Sequence, residues 1–271
     1  MRPYSIFLVI ITFLASCSPK PYEKAQKIQE EKVKEVIAKI DMHQAPELFD
    51  TLGNALKTAF IPTVNFGSRK PDFVIIHHTA QDSIQQTIKT FTLEHTQASS
   101  HYIVGREGEV VQMLSDDLRA WHAGNSKWGN NFDMNSSSIG IELDNNGFEP
   151  FSEKQINSLL ILLAKLKSTY NIPTSNFIGH GDIAPTRKAD PSILFPWEKL
   201  ANAGFGLWYD FPNMHPPAHF DIENALRRIG YDTRNLPAAI IAFKRHFVQL
   251  DLKPVMTDWD KCVLYHLYKK Y

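Results

Sequence analysis

Apolar positions along this chain fall into runs of different period, and each predicts a different element. Residues 6–15 form a short, nearly unbroken apolar run behind Arg2. It is too short to span a bilayer comfortably but has the length of a secretory signal core. From 22 to 40 the period becomes helical: Val33, Val36, Ile37 and Ile40 share a stripe, and Glu30/Lys34 and Glu35/Lys39 are spaced as ion pairs. This predicts a charged helical spacer. From about residue 70, compact β-branched runs alternate with amphipathic segments. Phe73-Val74-Ile75-Ile76, 138–143 and 176–180 read as strands, and 101–104 and 109–113 as two more around a tight Gly105-Arg106-Glu107-Gly108 connection. Asp82 or Ser83 starts a helix with Gln86 closing a capping box, and Ile84, Ile88 and Phe91 on one face. Ser152 and Gln155 make a second box, opening a helix with Ile156, Leu159, Leu160, Leu163 and Leu166 together. Such alternation predicts an α/β fold, a mixed central β-sheet flanked by helices.

After a proline-rich linker at 211–217, three short amphipathic helices follow. The first carries Ile222, Leu226 and Ile229; the second starts near Pro237 with Ile240, Phe243 and Phe247; the third starts at Thr257 with Trp259, Val263 and Leu267. They read as a small C-terminal three-helix module, too small to be stable unless it docks on the main domain. The expected organisation is a signal segment at 1–17, a tether and helical spacer at 18–45, a main domain at 46–210 and the helical module at 219–271.

Composition narrows the function classes. Hydrophobic residues are 43% of the 271, enough for a real core, and Lys plus Arg equals Asp plus Glu at 29 each. No basic excess points to nucleic acid. The two cysteines, Cys17 and Cys262, lie at opposite ends, so no disulfide framework is expected and neither belongs to a metal cluster. Eleven histidines supply imidazole for metal or proton chemistry.

Several polar residues fall where strands end, the usual ligand position in α/β sheets. His77 and His78 follow the first strand, Glu142 lies in Ile139-Gly140-Ile141-Glu142-Leu143, and His180 closes the last strand before a loop with Lys188 and Asp190. A catalytic zinc takes three protein ligands and keeps one position open. His77, His180 and Asp190 are the best set, while no HExxH helix is present. On their own these scattered residues leave a structural role for the histidines open.

Five segments in order change the weighing: Ile76-His77-His78-Thr79-Ala80, Ser100-His101-Tyr102, Ala120-Trp121-His122-Ala123-Gly124, Ile139-Gly140-Ile141-Glu142, and His180-Gly181-Asp182-Ile183-Ala184-Pro185-Thr186-Arg187-Lys188-Ala189-Asp190-Pro191. Together they resemble the type-2 zinc-dependent N-acetylmuramoyl-L-alanine amidases, related in fold to T7 lysozyme and peptidoglycan recognition proteins. The match covers roughly 70–208. Phe195-Pro196-Trp197, Gly204-Phe205-Gly206-Leu207-Trp208 and the helical tail resemble the outer-membrane lipoprotein branch, where the tail resembles a peptidoglycan-binding module. The resemblance implies one Zn²⁺ on His77, His180 and Asp190, Glu142 handling the proton of the attacking water, and Lys188 stabilising the oxyanion. It implies hydrolysis of the amide between N-acetylmuramic acid and L-alanine in peptidoglycan or its fragments. Trp121 and His122 are expected to line the substrate groove, and His78 is not expected to be a ligand. Some proteins of this fold bind peptidoglycan without cutting it and lack the zinc site; here all four matched positions are filled. A wall-anchoring role for the tail is compatible with either reading.

Leu14-Ala15-Ser16-Cys17 resembles the bacterial lipobox. That resemblance implies a diacylated Cys17 as mature N-terminus and a membrane held through its lipid. Ser18 after it points to the outer membrane, with the protein on the periplasmic side, and the chain is expected to act as a monomer.

Overall fold

In the computed structural model of the chain, residues 22–41, 70–210 and 215–271 are described. The expected signal segment, Cys17 and the Ser18–Pro21 tether lie outside them, as do 42–45 of the expected spacer, 46–69 at the start of the expected main domain and 211–214 of the linker. The chain divides into two compact units, Met1–Val64 and Asn65–Tyr271. Within the first, α1 (Glu23–Asp41) is the expected charged helix, with Glu23 and Lys27 paired at 2.8 Å one turn apart. No described helix is long and apolar enough to cross a membrane.

The second unit runs β1 (Phe73–His78), α2 (Ile84–Phe91), β2 (Tyr102–Val104), β3 (Val110–Gln112), α3 (Met134–Ser137), β4 (Ser138–Leu143), α4 (Glu153–Tyr170), β5 (Phe177–Gly179), α5 (His180–Ile183), α6 (Trp197–Asn202), α7 (Ile222–Ile229), α8 (Leu236–Phe243) and α9 (Asp258–Lys270). The strands form one sheet in the order β3-β2-β4-β1-β5. β3 is antiparallel to β2 and every other pairing is parallel, which makes the sheet mixed.

Strand alternation sorts the core into two layers. Val74 and Ile76 of β1 join Ile139, Ile141 and Leu143 of β4 on the face covered by α4, through its Ile156, Leu159, Leu163 and Leu166. Ile75 and Ile178 point the other way. They enter a second cluster with Leu226, Ile229, Phe243, Phe247, Val263 and Leu267. The C-terminal helices therefore have no separate core; they are the third layer of the sheet. Each large aliphatic buried there contributes about 1.5–3 kcal/mol, so the tail and the sheet stabilise each other.

Some local details differ from the expectation. Ser152 caps α4 by accepting from the Gln155 backbone N–H, but the Gln155 side chain does not return to the cap. It donates to the Val104 and Asp144 carbonyls at 2.9 and 3.0 Å, tying α4 to the ends of β2 and β4. Gln86 likewise accepts from Asp82 rather than from Ser83, and Thr87 takes the buried position beside Ile84. In α9, Trp259 is 38% exposed while Cys262, Val263, Leu264 and Leu267 are buried, a face rotated from the expected stripe. α8 continues into a wide turn, Lys244–Val248, whose residues are all buried. Trp128, in the polar segment 125–135, is 7% exposed and packs edge-on against Tyr231 at 5.0 Å. Gly230 passes so close that a Cβ there would lie 2.3 Å from the Trp128 ring. A polar loop conceals this anchor because its partner lies a hundred residues downstream.

Candidate active site

The period of a strand and one backbone hydrogen bond bring the polar residues together. His77 has the parity of Ile75 in β1, Glu142 has the parity of Gly140 in β4, and the two are register partners, so both reach the face opposite α4. His180 directly follows β5, next to β1 on its other side. The Gly181 N–H donates to the Asp190 carbonyl at 2.7 Å, closing the 180–190 loop so that its ends meet.

His77 Nδ1 lies 2.9 Å from His180 Nδ1 and 3.1 Å from Asp190 Oδ2, and His180 Nδ1 lies 3.0 Å from the same oxygen. A tetrahedral ion with bonds of about 2.0–2.1 Å needs ligand atoms roughly 3.4 Å apart, so a small shift outward would seat one. The hydrogen-bond chemistry points the same way. His180 Nε2 is 3.1 Å from the Ala123 carbonyl, which can only accept, so Nε2 carries the hydrogen and Nδ1 is bare in the neutral ring. Burial, then the neighbouring His180, hold the His77 pKa down at about 4, so the His77 ring is neutral. Burial alone would raise the Asp190 pKa; the adjoining His180 and His77 side chains outweigh it and hold the carboxylate well below its usual range. Two imidazole nitrogens and a carboxylate oxygen converging on one point fit a divalent cation.

Glu142 stands beside this triangle, its Oε1 4.0 Å from His77 Nδ1, and its Oε2 is buried without a hydrogen-bond partner. Burial, reinforced by the charge of Asp190, pushes its pKa up to about 8, against the pull of Lys188. Lys188, between His180 and Asp190, borders the same 310 Å³ cavity as the triangle. Trp121 is half exposed at its rim, and Gln81 with Thr87 and Thr90 of α2 provides a polar wall that sequence reading did not single out. Spacing alone carries no signal for that wall.

His122, expected in the groove with Trp121, borders the cavity but is only 8% exposed, with its Nδ1 3.0 Å from His77 Nε2. His101 is fully buried and structural: its Nδ1 accepts from the Gly140 N–H at 3.0 Å. His78 accepts from the Ser192 N–H at 3.0 Å, pinning the chain just past Asp190 instead of joining the triangle. Asp182 orients no ligand ring. Its carboxylate accepts from the Gly179 N–H at 2.7 Å, from His246 Nδ1 at 2.7 Å and from the Tyr231 hydroxyl at 2.8 Å, binding the turn after β5 to the C-terminal helices.

Comparison with known proteins identifies the family. Residues 67–193 match the family described as N-acetylmuramoyl-L-alanine amidase. The chain is 35% identical over 206 residues to the N-acetylmuramoyl-L-alanine amidase AmiD of Escherichia coli (strain K12), covering 64% of this chain and 74% of that one. A structure of the E. coli AmiD in complex with anhydro-N-acetylmuramic acid-L-Ala-D-gamma-Glu-L-Lys superposes with a TM-score of 0.68 at 30% identity, covering 82% of this chain and 97% of that one. The structure of AmpDh3 from Pseudomonas aeruginosa in complex with anhydromuramic pentapeptide gives a TM-score of 0.68 at 29% identity, covering 78% and 96%.

Proposed function

Since this chain belongs to the N-acetylmuramoyl-L-alanine amidase family, we propose that it hydrolyses the amide between N-acetylmuramic acid and L-alanine, using one Zn²⁺ held by His77, His180 and Asp190. The observation that carries the reading is the convergence of two imidazole nitrogens and a carboxylate oxygen beside a buried, unpartnered Glu142 oxygen. A receptor that only binds peptidoglycan needs no such set. When bound, zinc supplies Lewis acidity that brings the pKa of water near 7 and polarises the scissile carbonyl.

The residues divide the remaining work. Glu142 takes the proton of the attacking water on its free oxygen and returns it to the departing L-alanine amine. Lys188 places its ammonium at the cavity where the carbonyl oxygen gathers negative charge, the kind of electrostatic stabilisation that usually matters most. Trp121 offers an apolar face at the rim for the sugar, and the wall of α2 faces the stem peptide.

The substrates are muropeptides, including anhydro forms, a choice supported by the ligands in the two related complexes. Attachment through a lipid on Cys17, and an outer-membrane position facing the periplasm, are supported by the Leu14-Ala15-Ser16-Cys17 segment. The test is to incubate zinc-replete protein with sacculi and with defined anhydro-muropeptides, with and without chelator, and to identify products by mass. Free stem peptide that disappears with chelator is expected. Intact substrate under every condition would remove the hydrolase reading.

A further inference from the structure

We infer that His122 and Ser138 form a hydrogen-bond relay that fixes the tautomer of His77, which makes His122 a positioning residue for the metal site. The inference rests on the zinc reading above and concerns residues that bind no metal themselves.

The polarity of the relay follows from its far end. The Ser138 hydroxyl donates to the Met134 carbonyl, which can only accept. With its one hydrogen used, Ser138 Oγ accepts from His122 Nε2 at 3.3 Å, so His122 carries its hydrogen on Nε2. His122 Nδ1 is then a bare acceptor, 3.0 Å from His77 Nε2, and His77 must carry its hydrogen there. His77 Nδ1 is left bare toward His180 and Asp190, the form a metal ligand requires. Were the relay to run the other way, His77 would present an N–H to the cation.

The surroundings hold the His122 ring where the relay needs it. It lies flat over Gly140 of β4, where a Cβ would come within 2.4 Å of the ring. Any side chain at 140 would displace it. The backbone N–H groups of His122 and Ala123 both donate to Asn135 Oδ1, at 3.0 and 2.8 Å. His101 holds the Gly140 N–H and meets the His122 ring edge-on at 5.8 Å.

The test measures zinc affinity by competition with a chromophoric chelator, and histidine tautomers by ¹⁵N NMR, in the full-length protein. His122→Phe keeps the ring and removes both nitrogens; zinc affinity is expected to fall about 10–100-fold, the usual consequence of losing a ligand's hydrogen-bond partner. Ser138→Ala removes a single oxygen and carries the test if the phenylalanine is not accommodated. It is expected to weaken zinc binding and to let His122 populate the Nδ1–H form. His122→Gln offers a carbonyl to His77 and an amide N–H to Ser138, and is expected to recover affinity. Wild-type affinity in both His122→Phe and Ser138→Ala, or a wild-type His122 protonated on Nδ1, would overturn the relay while leaving zinc binding intact. A wild-type protein that takes up no zinc would overturn the metal reading, and the relay with it.

Discussion

His77 and Glu142 stand opposite each other in the parallel register of β1 and β4, and both point to the same face of the sheet with 4.0 Å between Nδ1 and Oε1. One pair of facing positions thus supplies a metal donor and a carboxyl group just outside the donor triangle. Glu142→Gln keeps the shape and removes the ability to carry a proton. Turnover of a defined muropeptide is expected to fall by about 10²–10⁴, with zinc content at one per chain. Unchanged turnover would take Glu142 out of the proton chemistry.

The same carboxyl makes a prediction for the metal-free protein. Its folded-state pKa is raised to about 8 from an ordinary 4.5, because burial and the charge of Asp190 disfavour ionisation. The native state therefore holds a proton that the unfolded chain has released, and stability is lost as pH rises from about 4.5 through about 8. Glu142→Gln has no such loss. Melted without metal, the variant is expected to match wild type near pH 4 and to exceed it increasingly up to pH 8, by a few kcal/mol at most. Parallel melting curves across that range would contradict the burial argument.

Much of this site was legible because its residues fall at strand ends, where period and ligand chemistry coincide. His77, Glu142 and His180 each follow from a strand boundary, and Asp190 from a short loop that one backbone bond closes. What escaped were contacts that sequence spacing does not encode. The His122 ring turns toward His77 because Gly140, on a neighbouring strand, leaves room for it. Gln155 fits a capping box in sequence, yet two carbonyls outside its own helix claim its amide. Trp128 reads as a loop residue until Tyr231 is brought against it. In each case the deciding partner is non-local, and local pattern cannot name it.

Lys188 offers a test of charge apart from metal binding. Lys188 lines the cavity without joining the triangle. Lys188→Ala is expected to lower kcat by about 10²–10³, the cost of losing one oxyanion-stabilising group, while zinc affinity stays near wild type. A rise in KM with kcat unchanged would instead assign Lys188 to substrate binding alone.

The last prediction concerns the C-terminal helices, which the fold makes part of the catalytic unit. Tyr231 and His246 both donate to Asp182, and Asp182 holds the Gly179 N–H immediately before His180. Tyr231→Phe leaves one buried Asp182 oxygen short of a donor, which costs about 1–3 kcal/mol and is expected to lower the melting temperature with only a small change in turnover. Removing 218–271 is a larger insult. It uncovers Ile75, Trp128 and Ile178, which share their cluster with Leu226, Phe243 and Leu264, and strips both side-chain donors from Asp182. The truncated chain is expected to be insoluble or unfolded by circular dichroism, so a peptidoglycan-binding role for the tail must be sought with substitutions on its exposed face. A soluble truncated protein that binds zinc and melts cooperatively would show instead that the sheet holds its site without the third layer.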